Sequence, residues 1–96
     1  MQFSAIFATA ILALSVTANK HKYCNCHVDG DLDVGLSHKT CTAWGQSYPN
    51  TEWVSTRASC HDYVKGGGIP GERWEPFCKA NYGGDAGKVR GNCFEK

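Results

Sequence analysis

Tyr23-Cys24-Asn25-Cys26-His27-Val28 is the stretch whose reading decides the fold. Two cysteines with one residue between them cannot comfortably bond each other, because the ring would strain disulfide geometry. In a strand, successive side chains alternate between faces, so Cys24, Cys26 and Val28 share one face. Tyr23, Asn25 and His27 take the other. The strand therefore offers two sulfurs to the layer beneath it. The remaining cysteines, Cys41, Cys60, Cys78 and Cys93, fall one per later segment. That is the spacing expected if each segment is stapled back towards this strand.

Upstream of the strand, Met1 to Ala18 carries no charge and is almost wholly apolar from Ala5 to Leu14. It ends in Val16-Thr17-Ala18, with small residues where a signal peptidase requires them. The apolar run is too short to span a bilayer comfortably; a buried N-terminal helix is the alternative. The expected organisation is a signal peptide over 1–18 and one secreted domain over 19–96. All six cysteines lie in that domain. A chain so short cannot build a large core, and disulfides formed in an oxidising compartment make up the shortfall. An even count implies three bridges and no free thiol.

Ten basic and nine acidic side chains leave a net charge of +1, with no basic block. Nucleic acid and anionic membrane are therefore disfavoured as main partners, since both need clustered Lys and Arg. The chain has no Asn-x-Ser/Thr site for N-glycosylation.

Read in order, Asn19 to Lys22 is a polar tail expected to fray. Asp29-Gly30-Asp31-Leu32-Asp33 is turn chemistry ahead of a helix. Leu36, Thr40, Cys41 and Trp44 share one face of a helix from about Val34 to Gln46. Thr51–Ser55 and Ala58–Val64 read as a hairpin turned at Ser55-Thr56-Arg57. Lys65-Gly66-Gly67-Gly68 is expected to be a flexible loop. Trp74, Phe77, Cys78 and Asn81 fit a second helix. Pro76, tolerated in a first turn, puts its start near Arg73. Lys88 to Phe94 is the last strand, with Val89, Gly91 and Cys93 inward. The order strand, helix, strand, strand, helix, strand predicts an α+β fold of split βαβ, ferredoxin-like type. Its expected form is a four-stranded antiparallel sheet with two helices on one face and three disulfides.

The spacing Cys24-x-Cys26, followed by one cysteine in each of helix, hairpin, helix and final strand, resembles the killer-toxin-like fold family of small cysteine-rich fungal secreted proteins. That family is typified by the alpha chain of the KP-six toxin of smut fungi. The resemblance covers Tyr23 to Phe94 and rests on the cysteines and element order. The chain lacks the toxin chain's additional N-terminal cysteine pair. The resemblance implies a secreted fungal effector or virulence-associated protein, released at the host–fungus interface, non-enzymatic, and acting by binding a host protein or cell-surface component. A killer or antimicrobial toxin acting on membranes is the first rival. An inhibitor of a host enzyme, presenting the Lys65–Gly71 loop, is the second.

Other chemistries fit less well. Cys24, Cys26 and His27, with His21 or His61, could ligate a metal, but disulfide sulfur is a poor ligand. A thiol nucleophile beside His38 or His61 needs a free thiolate. Glu72 with Glu75, or Asp29 with Asp31, could form a carboxylate pair, though surface carboxylates are usually just solvated. No catalytic residue, metal or cofactor is expected, and a monomer is. The outer sheet face is expected to carry Tyr23, Asn25 and His27, then Ser59, His61 and Tyr63, then Arg90 and Asn92, a mixture suited to protein binding or to solvent. Trp53, His61 and Tyr63 are the candidate contact residues. The plainer reading of Trp53 is that it closes an edge of the core.

Sequence alone leaves fifteen disulfide connectivities. In a split βαβ sheet the first strand lies between the third and fourth. That brings Cys93 beside Cys24, sets Cys78 over Cys26 and leaves Cys41 for Cys60. Exchanging partners between Cys24 and Cys26 moves a sulfur by only about 7 Å, so that alternative stays open.

Overall fold

The computed structural model describes residues 20–95; the expected signal peptide and Asn19 lie outside them. In chain order the elements are β1 (Lys20–His21), β2 (Tyr23–Val28), β3 (Asp31–Leu32), α1 (Val34–Ser47), β4 (Thr51–Val54) and a 3-10 turn (Ser55–Arg57). Then come β5 (Ser59–Asp62), β6 (Ile69–Pro70), α2 (Gly71–Asn81), a second 3-10 turn (Ala86–Lys88) and β7 (Val89–Phe94). The fold is α+β, with two helices, antiparallel strands and three disulfides.

β2 is the spine. β7 pairs with it along its whole length, from Tyr23↔Phe94 to Val28↔Val89. Its other edge is shared: β5 takes Tyr23 and Cys24, and β3 takes His27 and Val28. β4 pairs outside β5. Between β5 and β3 the ladder is interrupted at Cys26, and the start of α1 fills the gap. The Cys26 N–H donates to Ser37 Oγ at 2.7 Å, and the Asp33 N–H donates to the Cys26 carbonyl at 3.0 Å. Asp33 also caps α1, its Oδ1 accepting from the Leu36 N–H at 2.9 Å. One capping residue thus fixes the angle at which α1 leaves the sheet.

The expected four-stranded sheet is corrected in two places. β3 makes it five-stranded, and β1 with β6 forms a separate two-stranded ladder. β3 exists because Asp29 and Gly30 both hold positive φ, at 54° and 84°. That is the geometry of a two-residue hairpin turn, and Asp-Gly is its strongest short signal. The expected frayed tail is pinned because Lys20 and His21 pair with Pro70 and Ile69, and Ile69 is fully buried. The second helix starts at Gly71 rather than Arg73, so Pro76 sits in its second turn. There it removes the N–H that would have bonded the Glu72 carbonyl. The expected flexible loop is also ordered. Asp62 accepts from the Val64 and Gly68 N–H groups at 2.9 and 3.2 Å, and the Gly67 N–H closes a turn on the Val64 carbonyl.

The core lies between the helices and the inner sheet face. Trp44 stacks on Tyr48 at 4.2 Å and meets the edges of Trp74 and Phe77 at 5.5 and 4.8 Å. Trp74 is fully buried, and its Nε1 donates to the Asn25 carbonyl at 2.9 Å. Cys24 bonds Cys93 across the β2–β7 ladder, Cys26 bonds Cys78 on α2, and Cys41 on α1 bonds Cys60 on β5. No described cysteine is free.

Gly91 sets how closely α2 approaches the sheet. A Cβ there would lie 2.8 Å from Trp74 Cδ1 and 3.0 Å from Glu75 Cα, the second of which is backbone. Gly91→Ala is therefore expected to cost about 1–3 kcal/mol by overpacking. Chemical denaturation checks it; a wild-type midpoint would mean the helix can shift without loss.

Candidate functional site

The outer sheet face is built in rows, because cross-strand partners lie side by side. The first row runs His61, Tyr23, Phe94, one residue from each of β5, β2 and β7. Their rings are stacked, with centroids 4.6 and 5.5 Å apart. Glu52 on β4 ends the row, its Oε2 3.6 Å from His61 Nδ1. Arg57 lies over the Tyr23 ring, 4.5 Å from its centroid. It is also paired with Glu95, whose hydrogen bond and charge raise the guanidinium pKa above its usual value.

The second row is polar and closed. Asn25 Nδ2 donates to Ser59 Oγ at 3.0 Å, Asn92 Nδ2 donates to Asn25 Oδ1 at 3.2 Å, and Ser59 Oγ donates to the Arg57 carbonyl at 2.8 Å. Asn25 and Ser59 are buried, so neither is available to a partner, although alternation puts both on the outer face. Buried polar groups satisfied in this way fix strand register.

The three candidate contact residues separate. His61 and Tyr63 line one cleft of about 480 Å³, together with Tyr23, Lys22 and Lys65. Tyr63 is 53% exposed. Trp53 is elsewhere. Its register partner is Cys60, which puts it on the helix side, where it is half-buried and stacked on His38 of α1 at 4.6 Å. A second cleft of about 510 Å³, lined by Lys20, Tyr48, Asn50, Glu72 and Arg73, opens on the other side of Asp62. The sequence reading missed it, because the ladder between β1 and β6 that walls it is only two residues long.

Of the residues weighed for other chemistry, Cys24, Cys26, Glu75 and Asp29 are engaged elsewhere, and Glu72 and Asp31 are exposed. Cys24 and Cys26 are in disulfides, and among the described residues no group of three or more His, Cys, Asp or Glu is placed to hold a metal ion. Glu75 accepts from the Gly91 N–H at 3.0 Å and lies 3.9 Å from Lys79, while Glu72 is exposed on the second cleft. Asp29 sits in the hairpin turn with Lys88 at 4.0 Å, and Asp31 is exposed on β3. Among the described residues no helix is long and apolar enough to cross a membrane. No protein-family model, curated protein or solved structure matches the chain.

Proposed function

We propose that this chain is a secreted binding protein of the killer-toxin-like type, an effector acting on a host protein or cell-surface component through its outer sheet face. The observation that carries the reading is the cleft where exposed Tyr63 meets the His61–Tyr23 stack between Lys22 and Lys65. Aromatic side chains with few rotors give contact area at low entropic cost, and the flanking lysines favour an acidic partner segment. Three disulfides suit an extracellular destination. The split βαβ arrangement is part of this proposal, supported by the position of β2 between β5 and β7 and by the element order. The enzyme-inhibitor rival is disfavoured by the loop it depends on. A turn closed from Gly67 to Val64 does not present Lys65–Gly71 as an extended, substrate-like segment.

Tyr63→Ala and His61→Ala test the proposal. Tyr63 is exposed, so its loss should change stability by no more than about 0.5 kcal/mol. Both variants should keep the wild-type near-ultraviolet circular dichroism and give a weakened response when applied to host tissue. A full response from both folded variants would remove the outer face from the function.

A further inference from the structure

Besides the two-residue β3, the sheet has two outer edges, β7 and β4, and they are treated differently. On β7, alternation turns the backbone of Val89, Gly91 and Cys93 outward. Much of that edge is blocked by side chains. The Gly91 N–H is held by Glu75 Oε1 at 3.0 Å, and the Val89 carbonyl accepts from Lys79 Nζ and Arg90 Nη1, each at 2.9 Å. On β4 the Tyr63 N–H bonds the Asn50 carbonyl, so Glu52 and Val54 form the bonded pairs with β5. Thr51 and Trp53 therefore turn their N–H and carbonyl groups outward. Among the described residues β4 pairs only with β5, and no side chain bonds this edge.

We infer that the outer edge of β4 accepts an extended segment of a partner protein, of alternating apolar–basic–apolar character, as an added antiparallel strand. Unpaired backbone in register calls for another backbone, which supplies the hydrogen bonds. The side chains specify the rest. Glu52 would face its opposite number in a non-hydrogen-bonded pair, where side chains come closest, and its carboxylate side chain is 57% exposed. A Lys or Arg opposite it is favoured. The residue opposite Trp53 packs beside the Trp53–His38 stack, which favours an apolar side chain. A second copy of this chain is the poorer occupant. Pairing β4 with itself in the register that aligns Thr51 with Trp53 sets Glu52 against Glu52, and like charges directly opposite are destabilising. This surface adjoins the Tyr63 cleft through the Glu52–His61 contact of 3.6 Å, but the outward amides of Thr51 and Trp53 are not part of that cleft, so either can fail alone.

The test is a titration of the full chain with the capped peptide Ser-Thr-Val-Lys-Val-Thr-Ser, read by amide shifts and hydrogen exchange. The expected result is protection of the Thr51 and Trp53 amides, with the edge of β7 unchanged. A peptide with Glu in place of Lys should bind about three- to tenfold more weakly, and Glu52→Lys should reverse that preference. Methylating the two valine nitrogens should weaken binding at least tenfold, because it removes donors to β4. Absence of protection at millimolar peptide, or equal binding of the methylated peptide, would overturn the inference. So would a concentration-dependent dimer formed without peptide, which would give the edge to a second copy.

Discussion

Trp74→Ala is expected to lower stability by about 3–5 kcal/mol, the range for emptying a fully buried Trp site. Trp74 is 0% exposed and does three things at once. It fills the space between α2 and the sheet, meets the edge of Trp44 at 5.5 Å and donates to the Asn25 carbonyl at 2.9 Å. Gly91 directly opposite has no side chain of its own to swing into the cavity. A domain this small has only a few kcal/mol in hand, so the variant should be largely unfolded or held together by its disulfides alone. Urea denaturation with fluorescence of the two remaining tryptophans reads the change. A loss below about 1 kcal/mol would mean that α2 does not pack on β2 as described.

Removing the Cys26–Cys78 bridge has an expected effect of the same order. It ties the spine strand to α2 across a sequence separation of 52. In the chain-entropy account, a closed loop of that size contributes about 4 kcal/mol by restricting the unfolded chain. Replacing both cysteines with alanine should leave a chain that fails to hold its fold at 37 °C. Reducing all three bridges should unfold it outright, since the core is small. Alkylation of the native protein without reduction should add no label, and near-ultraviolet circular dichroism should collapse on reduction. A reduced chain that keeps its native spectrum would show that the hydrophobic core suffices.

The residues that made the fold legible are those whose position has one physical meaning. Cys24-x-Cys26 can only face one layer, and once β2 is flanked by β7 the ladder itself sets Cys24 opposite Cys93. The helical face of α1 was readable because Leu36, Thr40, Cys41 and Trp44 keep helical spacing; all four are buried. Two-residue pairings were not readable, because Lys20–His21 and Ile69–Pro70 are too short to show a period. The β3 hairpin did carry a signal, Asp29-Gly30, but it was absorbed into the approach to α1. At the candidate site, alternation gave the correct face for Asn25 and Ser59 but not their burial, which depends on Asn92 arriving from β7 and on the Arg57 carbonyl of the adjoining turn. Trp53 could have been placed by counting back from Cys60 through the turn, which sets it on the helix side.

The central claim is that the outer face around Tyr63 meets the partner. Site-specific photo-crosslinking tests it most directly, with a benzophenone amino acid at position 63, at position 53 and, as a control on the exposed surface of α1, at position 42. The folded, oxidised proteins are applied to host tissue and irradiated. The account predicts a discrete adduct from position 63, suppressed by excess unlabelled wild type, and none from position 42. An adduct from position 53 alone would move the contact to the β4 edge. Adducts from position 42 without any from position 63 would contradict the account.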